Sequence, residues 1–373
     1  MTMIANPLQF ADQLQRAAPV QNSTCPVWVE NEWDSLEEVI VGTIETARYP
    51  TWHVSIEAPL PAKSHQDFIR RQGQYFDAKL LDKARREVDG LAEFLERSGI
   101  KVRRPNFAGL DAPFVTPMFS SRGGLYAAMP RDGLFAVADS IIETPMAWRD
   151  RYFEAFAFRD ILMDYFERGA HWRSAPKPQL TDALYRQDYD SRVSHFESVL
   201  TEVEPVFDAA DFVRIGNDII GQYSHVTNRA GAQWLARELG PDYKVHMYSF
   251  DDAGPMHIDT TLLPIAPGRV LLNKAWVSSL PDYFKDWEVL VPPPSCLSEN
   301  HPLFFTSRWI SVNVLMLDPH HVLVEENEKP LMEAFRSWKI EPIPLPFKHF
   351  QTFGGSFHCA TLDVRRGTDQ GLM

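Results

Sequence analysis

Apolar positions along this chain follow two spacings, alternate residues and every third or fourth residue, and the two recur in a fixed order. The clearest case starts at Trp309. SVNVLML reads as a strand, Asp318-Pro319-His320-His321 turns the chain, and HVLVE forms a second strand. PLMEAFRSW then has helical spacing, and KIEPIPLPF returns as a strand. A similar unit starts near His257, with IDTTLLPI, the turn Ala266-Pro267-Gly268, RVLLN, a helix over LPDYFKDW and the strand EVLVPPP. Another starts near Phe207: ADFVRIG, a turn at Gly216-Asn217-Asp218, IIGQY, a helix across RAGAQWLAREL closed by Gly240, and YKVHMYSF. A weaker copy near Arg131 offers GLFAVA and IIETP. The first unit combines LEEVIVG, a helix predicted over Lys79–Ser98, and IKVRRP. Leu80, Leu81, Ala84, Val88, Leu91, Phe94 and Leu95 form one apolar stripe on that helix.

Roughly five β-β-α-β units predict an α/β ring of modules about a common axis. An ordinary α/β protein whose elements look alike by chance fits the same pattern. Residues 1–30 read as an irregular arm, and residues 31–373 as one domain. With 45% hydrophobic and 23% charged residues, the 373-residue chain can bury a large core. Its net charge of −13 gives no reason to expect nucleic acid, which needs clustered Lys and Arg. No signal peptide or membrane span is legible, so a cytoplasmic setting is expected. A homodimer is compatible with the chain, but the sequence does not fix the oligomeric state.

The three cysteines, Cys25, Cys296 and Cys359, are far apart and form no CxxC pair, which speaks against a disulfide framework and a cysteine zinc site. His320 and His321 sit in a tight turn and alternate faces, so a shared metal is not expected. No HExxH, P-loop or dinucleotide glycine fingerprint occurs. Polar residues instead gather just before strands: Asp132, Asp208, Asp211, His257 and Asp259, with Cys359 in GGSFHCAT near the end of the chain. If the units surround an axis, those strand starts converge on one pocket. Carboxylates grip a planar guanidinium along its edges, and a thiolate can attack its poorly electrophilic carbon. One histidine can protonate the leaving amine and then deprotonate the incoming one. Plainer readings stand beside this one. A lone cysteine is more often a small buried hydrophobe, His257 fits a satisfied strand histidine, and acids at strand starts are often caps.

At these residues the chain resembles the arginine:glycine amidinotransferase family. FDAADFVRIGNDIIGQYSHVTN, GPDYKVHMYSF, PMHIDTT, SRWISVNVLMLD and GGSFHCATLDVRRG carry the resemblance, which runs from Asn31 to Gly367. It implies a pentein fold, a five-bladed α/β propeller with pseudo-fivefold symmetry. It also implies transfer of the amidino group of L-arginine to a primary amine, with release of ornithine, by a ping-pong route through an amidino-Cys359 intermediate. Carried over, His257 is the general acid and base and Asp208 its partner. Asp132 and Asp259 hold the donor guanidinium, Thr306 and Ser307 seat its amino-acid end, and Gly254 and Met256 belong to the substrate site. No metal or organic cofactor is implied.

Two positions depart from the glycine-transferring pattern. Gly254 replaces an asparagine, which favours an acceptor larger than glycine. Trp276 replaces an arginine for the donor carboxylate, with Lys274 two residues away as a candidate substitute. Within the family the resemblance is to cyanobacterial toxin-pathway members, the saxitoxin type with an amino ketone acceptor, with the glycine-using cylindrospermopsin type as the alternative. An arginine deiminase-like hydrolase and a catalytically inert binding relative are the other readings.

Overall fold

The computed structural model describes residues 25–192 and 195–367. Residues 1–24, most of the expected arm, lie outside the described residues. Five three-stranded sheets share one topology: an inner strand pairs antiparallel with a middle strand, which pairs parallel with an outer strand. Tight turns suffice for the antiparallel step, whereas a parallel step needs a crossover, usually a helix. Four crossovers contain one, at Ala78–Arg97, Arg159–Glu167, Arg229–Leu239 and Lys329–Ser337. Neighbouring modules touch in cyclic order. The pentein propeller expected from the repeat and the resemblance is thus the fold observed.

The ring closes in a way the pattern did not reveal. The last strand, Thr361–Gly367, is the inner strand of the first module, antiparallel to Ser35–Val41. Ser35–Val41 pairs on its far side with Lys101–Arg103. The residues just before Thr361, Cys359 included, are therefore held on the axis by the pairing that joins the two ends of the ring.

Inner strands Leu134–Val137, Leu262–Ala266 and Leu315–Asp318 are buried along their whole length, so they read as apolar runs, broken only by Asp318 at the end of the last. Outer strands such as Lys101–Arg103 and His171–Ser174 are polar and partly exposed, which keeps the sheet edges from pairing with other chains. In Glu341–Leu345, Pro342 and Pro344 are tolerated because that strand is an edge. The long helix Ala78–Arg97 buries Ala84, Val88, Leu91, Phe94 and Leu95 of the predicted stripe, while Leu80 and Leu81 are only partly buried. Each large apolar side chain so buried contributes about 1.5–3 kcal/mol. Asp77 caps its start by accepting from the N–H groups of Lys79 and Leu80.

Three predicted elements differ. Ile258–Thr260 is a short helical turn, and the strand begins only at Leu262, because His257 and Asp259 are both drawn inward to polar partners. Likewise Arg308–Val312 is a helical turn ahead of the strand Leu315–Asp318. LPDYFKDW holds only the single turn Asp282–Phe284, capped by Pro281. It packs through the aromatic cluster of Tyr283, Phe284 and Trp287 rather than an amphipathic stripe. No helix among the described residues is long and apolar enough to cross a membrane.

An ion cluster occupies the axis. Arg214 binds Glu32 through two nitrogens at 2.8 and 2.7 Å and reaches Asp363 at 2.8 Å. Arg131 bridges Glu32 and Asp363, and Arg366 joins Asp363 at 2.8 Å. All five side chains are buried. Opposite charges hold Glu32 and Asp363 ionised against the cost of burial. Removing one member of such a cluster costs about 3–5 kcal/mol.

Candidate active site

Each inner strand is preceded by a short turn, and the chemically notable side chains sit in those turns. Asp132 lies in Pro130–Gly133, Asp208 immediately precedes Ala209–Asp211, His257 immediately precedes Ile258–Thr260, and Asp259 lies within that last turn. Asn313 follows Arg308–Val312 and Cys359 precedes Thr361. The ring symmetry brings these equivalent positions to one place. Ligand atoms of Asp132, His257 and Cys359 lie within 4.8 Å of one another.

His257 has Nε2 3.2 Å from Asp208 Oδ2 and Nδ1 3.6 Å from Asp132 Oδ1. Burial opposes charge on the ring, but Asp132, Asp208 and Cys359 outweigh it and raise its pKa well above the ordinary value. Cys359 Sγ faces Asp259 Oδ2 at 3.3 Å, and Nδ2 of Asn313 donates to the sulfur at 3.1 Å. Burial, together with the charges of Asp259 and Asp132, pushes the Cys359 thiol up to about 12, with His257 acting against them. Asp259 also accepts from His358 Nδ1 at 2.7 Å, and the other ring nitrogen of His358 stands 3.3 Å from Glu32. Burial would raise the Asp259 pKa, yet His358, His257 and the thiol together lower it. One oxygen each of Asp132, Asp208 and Asp259 is buried with no hydrogen-bond partner among the described residues.

The cleft above this cluster encloses about 240 Å³. His257, Asp259 and Cys359 form its floor, Gly254, Met256 and Trp276 one wall, Thr306 and Ser307 another, and the loop 58–62 its rim. Asp132 and Asp208 do not line it; both touch His257 from the protein side. Ser307 Oγ accepts from the Trp309 N–H at 3.2 Å, which fixes its hydroxyl at the cleft. Lys274 is exposed and does not line the cleft, and the described lining residues include no lysine or arginine. At Gly254 an added Cβ would meet nothing closer than the Ala58 carbonyl oxygen at 4.0 Å, so that side is open.

Both glycines before the cysteine are required by the turn. Gly354 has φ of +93°, in the left-handed region. A Cβ at Gly355 would stand 2.4 Å from Met129 Sδ and 2.8 Å from Cys359 Cβ.

Sequence reasoning missed Arg151, Glu154 and Asn313. Arg151 donates to Asp132 at 2.7 Å and to both oxygens of Glu154 at 2.7 and 2.5 Å, all of them buried. Nothing in the string RDRYFE marked these residues. Asn313 was within reach, since it stands two residues before an inner strand, as do Asp132 and Cys359. Asp132, His257 and Cys359 offer oxygen, nitrogen and sulfur in one place, but Arg151 already holds Asp132 and the Asn313 amide faces the sulfur, so a cation there would meet both.

No family model matches the sequence. The L-arginine:L-lysine amidinotransferase of Pseudomonas savastanoi pv. phaseolicola is 47% identical over 345 residues, 92% of this chain and 95% of that protein. The mitochondrial glycine amidinotransferase of Danio rerio is 45% identical over 352 residues, 92% and 83% of the two chains. Among solved structures, SxtG, an amidinotransferase of the saxitoxin biosynthetic pathway from Microseira wollei, superposes with a TM-score of 0.85 at 44% identity and covers 93% of this chain and 98% of its own. DDAH from Pseudomonas aeruginosa, 13% identical with a TM-score of 0.54 over 88% of this chain and 99% of its own, shares the fold. With relatives this similar over nearly its whole length, the chain belongs to the amidinotransferase family and is a transferase.

Proposed function

We propose that the protein transfers the amidino group of L-arginine to a primary amine larger than glycine, through a covalent amidino-Cys359 intermediate. One observation carries this reading: a thiol and an imidazole converge with carboxylates whose buried oxygens lack partners, under a cleft without lysine or arginine. Such a site calls for a planar cation with several N–H donors.

Before arginine binds, burial and the charges of Asp259 and Asp132 favour the neutral Cys359 thiol, and Asp132 and Asp208 favour a charged His257. An entering guanidinium, gripped by Asp259 on the cleft floor and drawn past His257 toward the unpartnered oxygen of Asp132, brings the positive charge that favours the thiolate, and the thiol proton leaves to solvent. Thiolate Sγ bonds to the guanidino carbon. The C–N bond to the ornithine nitrogen then breaks as His257, held by Asp208, gives that nitrogen its proton. The amidino group stays on sulfur as a cation. A neutral acceptor amine attacks the same carbon, loses a proton to His257, and the C–S bond breaks to release thiolate. Thr306 and Ser307 offer hydroxyl donors to the amino-acid end of the donor, in place of the cation that Trp276 does not supply.

The open side at Gly254 supports an acceptor bulkier than glycine. Likeness to SxtG, an amidinotransferase of the saxitoxin pathway, supports a place in toxin biosynthesis, and an amine on an amino ketone is the acceptor we infer. The deciding experiment supplies arginine with and without a panel of amines and measures ornithine against citrulline. Amine-dependent ornithine supports transfer. Citrulline as the sole product makes the protein a hydrolase, and glycine as the preferred amine assigns it the glycine-directed activity.

A further inference from the structure

Asn313 is fully buried and both ends of its side-chain amide are engaged. Oδ1 accepts the backbone N–H groups of Ser356 at 3.0 Å and Cys359 at 3.1 Å. Two N–H donors can face only the oxygen end, so the amide cannot be turned round. The nitrogen end is thereby forced toward Cys359 Sγ, 3.1 Å away. Two other polar groups reach the sulfur: the Asp259 carboxylate at 3.3 Å favours the thiol over the thiolate, and His257 acts the other way. Gly355 has no room for a side chain, so the turn carrying Cys359 is packed in place against Met129.

We propose that Asn313 is a catalytic residue that stabilises Cys359 as thiolate through a fixed N–H donor. It acts twice in the reaction inferred above, on which this assignment rests: before sulfur bonds to the guanidino carbon, and again when the C–S bond breaks and the sulfur departs with the bonding pair. The donor is in position before substrate arrives, so no reorganisation is needed as charge develops on sulfur.

Asn313→Asp tests this, because it keeps an oxygen for the two backbone donors and replaces the N–H by an acceptor. Asn313→Ser is the companion: its shorter side chain withdraws the amide N–H from the sulfur, adds no charge, and remains informative if the aspartate variant does not fold. The expected result is an unchanged unfolding midpoint for at least one variant, with alkylation of Cys359 by iodoacetamide at pH 9 and ornithine release both slowed about 100-fold. Arginine affinity, titrated with Cys359→Ala present in each background, should change less than about threefold for the serine variant. Folded variants that alkylate and turn over like the parent overturn the assignment. A parent protein that releases no ornithine, while its variants still show the alkylation defect, overturns the proposed reaction and leaves the hold of Asn313 on the sulfur standing.

Discussion

The imidazole of His257 stands 3.2 Å from the carboxylate of Asp208, and both side chains are almost wholly buried. An imidazolium so placed can donate to Asp208 while its remaining edge serves a reacting nitrogen. Asp208→Asn removes the charge but little volume. The expected loss in kcat is about 10²–10³-fold, with a smaller change in KM for arginine. Since Asp208 helps raise the His257 pKa, the alkaline limb of the kcat profile should move to lower pH. Steady-state kinetics across pH checks both, and a purely KM effect would remove Asp208 from the acid-base role.

Reactivity of Cys359 reports its surroundings directly. With the thiol pushed up to about 12, the fraction ionised at pH 7–10 is small and rises with each added pH unit. In the absence of arginine, alkylation at residue 359 should therefore quicken about tenfold per pH unit over that range, without a plateau. Peptide mass spectrometry after timed iodoacetamide exposure measures this. A plateau near pH 8 would mean the resting site favours thiolate.

Asp132 pairs with Arg151 and is proposed to hold the donor, and a single substitution should test both together. One oxygen takes a hydrogen bond from buried Arg151 at 2.7 Å, and the other lacks a partner beside His257. Asp132→Asn should weaken arginine binding at least tenfold and lower stability by about 3–5 kcal/mol, because it breaks a buried ion pair. Calorimetric titration and urea unfolding measure the two effects. Weakened binding without any loss of stability would argue against the Arg151 contact, and unchanged binding would argue against the donor-binding assignment.

Gly254 tests the acceptor side. Space for a side chain exists there, since an added Cβ stays 4.0 Å from the nearest atom. Gly254→Asn should narrow the cleft, cut kcat/KM for the preferred bulky amine about tenfold, and shift relative preference toward glycine. Competition between the two acceptors, read by mass spectrometry, gives the ratio.

Much of the ring was legible because its modules repeat two local periodicities. HVLVE and RAGAQWLAREL match the strand His321–Glu325 and the helix Arg229–Leu239 residue for residue. The short turns before the inner strands were not legible. IDTTLLPI and SVNVLML carry β-branched residues, and only long-range bonds from His257, Asp259 and Asn313 bend their first residues out of the strand. The closing strand Thr361–Gly367 escaped notice for the opposite reason. Its partner lies at the other end of the chain, and polar residues interrupt its apolar run: Asp363 and Arg366 serve a buried ion pair, and Arg365 a partly buried one with Glu37. Convergence of Asp132, Asp208, His257, Asp259 and Cys359 could be argued from the inferred symmetry, whereas Arg151 and Glu154 come from a crossover that no periodicity marked.

A covalent bond between Cys359 Sγ and the amidino carbon is the claim on which the account rests. Rapid quenching of the protein with arginine but no acceptor, followed by peptide mapping, tests it directly. The account predicts one amidino group on residue 359, formed together with ornithine, discharged by an acceptor amine, and absent from Cys359→Ala. Ornithine formed at full rate with no modification at residue 359, or by the Cys359→Ala protein, would contradict it.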